Sequence, residues 1–234
     1  LSKAISLSRS ITPDYLDKIV QIYSNTSDTD EIKMAVNEYL SDHIMSSTNL
    51  RKTREILLST WVHVADDLQR VRDKALEIYT SAPSTERMAI HWAMLILAFP
   101  IFKDLCSIIG KLSDVQETVT LARIKRRLSE QWGERTTLLH STDKIIKTLK
   151  DLGALLQVKP GVYTTPTQKI EDGRVISLLV YSVLHSNGKL YANLTGLEAY
   201  PEFYPFQLHV SLDELVDSGL FSIDRIGGEV VVSL

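Results

Sequence analysis

The chain has 234 residues, 44% of them hydrophobic, and a formal net charge of −3; this fits one or two compact domains with real cores. A single cysteine, Cys106, excludes an intrachain disulfide framework and suits a reducing, cytoplasmic compartment. The longest apolar run, residues 88–102, contains His91 and Pro100 and is short for a bilayer span, so a buried core helix and no membrane partner are expected.

Residues 1–117 read as a helical bundle. No secretory leader is expected at the start, which opens on Leu1. Thr12-Pro13-Asp14 is a helix start, with a capping hydroxyl and proline at the first helical position. Leu16, Ile19, Val20 and Tyr23 follow at helical spacing, and a second helix is predicted over Thr29–Met45. Asn49 is the expected cap of a third, whose apolar side runs from Leu50 to Trp61. A fourth is predicted from Asp66 to Tyr79. Pro83-Ser84 separates it from Thr85–Phe99, and Pro100 forces a break before Ile101–Val115. His91, beside Trp92 on that apolar helix, reads as a satisfied core histidine, and Cys106 as a small buried hydrophobe.

Residues 118–169 read as a basic winged helix-turn-helix. A β-prone run at Thr118–Thr120 precedes a helix carrying Arg123, Lys125, Arg126 and Arg127. Gly133-Glu134 breaks that helix, and a second is predicted from Thr136 to Leu152. Gly153 stops it, and a hairpin turns at Lys159-Pro160-Gly161. Within 118–160 there are nine Lys and Arg against four Asp and Glu, in a chain that is acidic overall. Residues 170–234 reverse the sign, with three against nine. They read as an acidic, winged-helix-like α/β module: a helix over Arg174–Ser186, a short one over Ser211–Ser218, and a terminal β-hairpin turning at Gly227-Gly228. The expected fold is therefore mainly α: an N-terminal bundle, a winged helix-turn-helix, and a C-terminal winged-helix-like module.

The second helix of the basic segment carries the functional expectation. At a 3.6-residue period, Leu138, Thr142, Ile145, Leu149 and Leu152 share the core side. Thr136, His140, Lys144 and Lys147 share the opposite one, a set able to reach base edges or phosphates. Arg135 precedes the helix, where it could clamp a guanine edge or a phosphate. Arg123, Arg126, Arg127 and Lys159 are placed as phosphate contacts that set orientation. Double-stranded DNA is the expected partner; the alternative is a scaffold whose basic face docks an acidic protein. In the acidic module, Phe203, Tyr204 and Phe206 lie in a proline-rich loop and need burial, either over the seam between the last two modules or in a contact within the chain, in a homodimer or against another subunit. No phosphate loop, dinucleotide fingerprint or metal-ligand spacing occurs, so neither enzymatic chemistry nor a cofactor is expected.

Two segments carry a family resemblance. Asn49-Leu50-Arg51-Lys52-Thr53-Arg54-Glu55-Ile56-Leu57 is one, and the run from Ser141 to Leu155 is the other. Together with the general layout, they resemble the BrxA family of BREX phage-defence systems. The resemblance implies a small, mostly helical, non-enzymatic DNA-binding component of a multi-protein defence locus.

Overall fold

The computed structural model describes residues 6–234, so the expectation about a leader falls partly outside the described residues. A mainly helical N-terminal region is followed by mixed α and β segments whose described strands form small antiparallel sheets and a short parallel pair. The helices of the first region are α1 (Pro13–Asn25), α2 (Thr29–Ser41), α3 (Ser47–Trp61), α4 (Gln69–Ser81), α5 (Arg87–Ala98) and α6 (Pro100–Ser113). Thr12 caps α1 as its sequence requires, accepting from the Tyr15 amide at 3.3 Å. The third helix starts earlier than expected. Ser46, not Asn49, is its cap, because a serine hydroxyl stands three residues before the Asn49 amide and accepts from it. That frees the Asn49 side-chain oxygen, which accepts instead from Arg9 Nε at 2.9 Å.

After α6 come β1 (Val119–Thr120), α7 (Leu121–Trp132), α8 (Thr136–Asp151), β2 (Leu156–Lys159) and β3 (Val162–Thr164). β3 lies between β1 and β2, antiparallel to both. The short strand β4 (Gln168–Lys169) leads into α9 (Gly173–Ser186) and β5 (Tyr191–Asn193). Two 3-10 segments follow, at Leu194–Ala199 and Pro201–Phe203. Then come β6 (Phe206–Gln207), α10 (Leu212–Ser218), β7 (Ser222–Ile226) and β8 (Glu229–Ser233). Here β8 lies between β5 and β7, again antiparallel to both. The two three-stranded sheets thus repeat one topology: a lone strand after a helix pairs with the last strand of a later hairpin.

The helix α5 is apolar all round and is buried from Ala89 to Ile96, because α9 packs along it while α6 turns back against it. The apolar pair, taken as Ser84–Ala98 and Pro100–Ser113, is bent by 118°, and among the described residues no single helix is long and apolar enough to cross a membrane. One hydrophobic cluster continues through all three stretches of the chain. Pro201 packs so closely on α6 that a Cβ on Gly110 would stand 2.2 Å from the Pro201 carbonyl oxygen.

His91 is buried in α5. Its Nε2 lies 2.9 Å from the Asp17 carboxylate, which also accepts from the Tyr79 hydroxyl at 2.5 Å, so one carboxylate ties α1 to α4 and α5. The expectation of a satisfied core histidine is met at one nitrogen only, since Nδ1 has no partner. A neutral ring donating from Nε2 is the form this geometry favours, because a proton on Nδ1 would be a buried donor without an acceptor. Burial accordingly lowers the His91 pKa, and the His91 hydrogen bond is the chief cause holding the Asp17 carboxyl below its ordinary value. Both folded-state values are depressed, so the unfolded chain binds these protons more readily. Stability should be full above about pH 6.5, the ordinary imidazole value, and should decline as pH falls below it. Thermal melting of the wild type should show this decline between pH 7 and pH 5, and His91→Gln, which keeps a donor but cannot titrate, should flatten it.

Candidate nucleic-acid interface

The geometry of the basic segment starts at the turn between α7 and α8. Gly133 adopts φ 78° and ψ 151°, a region essentially restricted to glycine. A side chain would meet nothing there within 4 Å, so the requirement is conformational rather than steric. On one side of the turn, Trp132 is buried and its Nε1 donates to Asp104 of α6 at 2.9 Å. Asp104 also meets Lys103, whose ammonium donates to Asn187 at the end of α9, and Asn187 donates in turn to the buried Glu202. A chain of polar contacts therefore joins α7 to the C-terminal segment. Sequence reasoning missed it because its members are scattered over a hundred residues.

The helix α8 has the periodicity its sequence implies. Leu138, Thr142, Ile145, Leu149 and Leu152 are buried, and Thr136, His140, Lys144 and Lys147 are exposed. The buried arc is wider than the apolar positions alone indicate, since Ser141, Ile146 and Thr148 are covered as well. Thr148 Oγ1 accepts from the Ile11 amide at 2.8 Å, so the segment leading into α1 lies against the last turns of α8. Lys147 is near enough to Tyr15 of α1 to offset part of the rise that burial causes in the Tyr15 pKa. The polar face is therefore open over the first half of α8 and bordered by the N-terminal region at its end.

The cations are partly compensated. Lys125 on α7 meets Asp143 on α8 at 2.6 Å, Arg126 and Arg127 both face Glu130, and Lys147 pairs with Asp151 at 2.8 Å. Arg123 donates to Gln116 at 2.6 Å and is pinned toward the segment before β1, while Arg135 donates to the Trp132 carbonyl. Lys144 and Lys159 are exposed, and among the described residues neither side chain has a hydrogen-bond or ion-pair partner. Between α7 and α8 runs a groove of about 860 Å³ lined by Lys125, Arg126, Glu130, Arg135, Thr136 and Leu139. Lys159 ends β2, an exposed edge strand joined to α8 by a Lys150–Gln157 bond of 2.7 Å.

Phe203, Tyr204 and Phe206 are buried inside the chain. Tyr204 and Phe206 stand edge-on to Trp92 of α5, with ring centroids 6.0 and 5.4 Å away, and the Tyr204 hydroxyl donates to the Ala154 carbonyl beyond α8. Their contact is thus made chiefly with α5 and α6, two helices that sequence reasoning had not linked to them. Among the described residues, no group of three or more His, Cys, Asp or Glu is placed to hold a metal ion. Comparison of the chain with protein-family models, curated proteins and solved structures returns no match.

Because Gly133 holds the turn that sets α8 against α7, Gly133→Ala should lower stability by roughly 1–3 kcal/mol. Urea unfolding would measure this. A variant as stable as the wild type would mean that the turn relaxes at no cost.

Proposed function

We propose that the chain binds double-stranded DNA without catalysing a reaction, with α8 as the helix that faces the major groove. The observation that carries this reading is the open first half of α8: Thr136, His140 and Lys144 stand on one exposed side, with Lys159 on the hairpin beyond it. Helix α6, β1, α7, α8 and the β2–β3 hairpin follow one another in the order of a winged helix-turn-helix. On this reading Thr136, His140 and Lys144 approach base edges, and Arg126 and Lys159 meet phosphates. Arg123, Arg135 and Lys147 act from the margins, since each is already engaged within the protein. The segment 170–234 repeats the strand pairing of this unit, and on this reading its acidic charge keeps it away from phosphate. The BrxA resemblance supports a cytoplasmic setting as a DNA-contacting component or regulator of a prokaryotic phage-defence system, alongside other subunits.

A second reading, a scaffold whose basic face docks an acidic protein, draws on the internal pairing. Four of the nine cations in 118–160 already face carboxylates, which reduces the field available to phosphates.

Electrophoretic shifts over a salt series separate the two. With about four phosphates neutralised, the logarithmic slope of binding against salt should be roughly −4; absence of binding at low salt would favour the scaffold. Lys144→Glu should weaken binding at least tenfold and change stability by less than about 0.5 kcal/mol, because the side chain is exposed. Normal binding by a folded Lys144→Glu variant would remove α8 from the interface.

A further inference from the structure

The segment from Ser46 to Arg54 opens α3 and has no place in the site described above. It contains Arg51, Lys52 and Arg54 and no acidic residue, and residues 1–12 likewise contain Lys3 and Arg9 but no Asp or Glu. The structure brings the described parts of these two basic stretches together. Arg9 Nε donates to Asn49 at 2.9 Å, and Ser6 and Ser8 border the same groove as Lys52. Arg51 is exposed and Lys52 half-buried, and among the described residues neither lies within ion-pair distance of a carboxylate. Glu55 lines that groove as well, where Arg54 engages it at 2.6 Å.

These stretches are tied to α8 beneath the surface. Ile11, two residues after Arg9, donates to Thr148 Oγ1. Thr148 is buried, and it lies one turn beyond Lys144 and about 40° around the helix from it. Two extended residues span about 7 Å, the Ile11–Thr148 contact about 7 Å between Cα atoms and one helical turn about 5.4 Å, so Arg9 lies within roughly 20 Å of Lys144. Phosphates on one strand of a duplex recur about every 3.4 Å along its axis, so a duplex seated on α8 carries several within that reach.

We propose that Arg9, Arg51 and Lys52 form a second contact surface for the duplex backbone, extending the footprint of α8 onto the N-terminal helices. This rests on the reading of α8 as the DNA-facing helix. Guanidinium and ammonium groups here meet phosphate oxygens only, so the surface adds affinity and fixes orientation without reading sequence. The N-terminal region thereby acts as part of the binding platform.

The test is fluorescence-anisotropy titration of the full chain with a labelled 25-base-pair duplex from 50 to 300 mM salt. Arg51→Ala with Lys52→Ala should reduce the magnitude of the salt slope by about 2, roughly one per cation removed. Affinity should fall at least tenfold at 50 mM and approach that of the wild type at 300 mM. Loss of the fold alone would instead lower affinity equally at every salt concentration and would show in circular dichroism. Glu55→Gln, at an exposed site, should tighten low-salt binding several-fold by removing the carboxylate that lines the groove and holds Arg54. A folded double-alanine variant with the wild-type slope, or a Glu55→Gln variant that binds no tighter, overturns the second surface while leaving the α8 reading intact. Failure of the wild type to bind at 50 mM overturns the α8 reading, and this inference with it.

Discussion

The packing of α9 along α5 is the constraint on which the rest of the structure depends. Both helices are apolar on nearly every side, and neither could be left with a face in water. α5 is covered by α9, by α3 and α4, and by α6, which doubles back after Pro100. Once α9 is held there, the segment after it must return over α6. The aromatic residues of 203–206 then close against Trp92, and Pro201 settles on Gly110. The acidic C-terminal segment is therefore joined to the N-terminal helices through a shared core.

The basic segment is held to this core through α6 and the Trp132–Asp104 bond, through Ile11 on Thr148 and through Tyr204 on Ala154, while the first half of α8 is left in solvent. The result is a helix fixed along its buried arc whose polar arc stays open. The charges follow the same division. The acids of α7 and α8 restrain neighbouring cations in short pairs, which orders the long side chains while weakening the field, whereas Lys144 and Lys159 stay unpaired. Surface pairs of this kind contribute little to stability, typically 0–1 kcal/mol. Their main effect here is on which cations remain unpaired.

Much of the local structure was legible in the sequence because it depends on neighbours three or four residues apart. Thr12 before Pro13, Gly133 between two helices and the alternation along α8 each specify a cap, a turn or a face through backbone geometry alone. The exposed positions Thr136, His140 and Lys144 follow from the same periodicity. Asn49 was misread as a cap because the serine that outcompeted it stands only three residues earlier, and both residue types suit the role.

The sequence by itself determined the order of helices and hairpins, the polarity of each helix face and the charge contrast between 118–160 and 170–234. Those properties are local sums over the chain. Only the tertiary structure decided which cations are restrained by acids, that Ile11 lies on Thr148, and that Phe203, Tyr204 and Phe206 are buried against α5 and α6. These are contacts between residues as much as 137 positions apart, made where apolar surfaces from distant segments had to be covered together, and no local pattern encodes them.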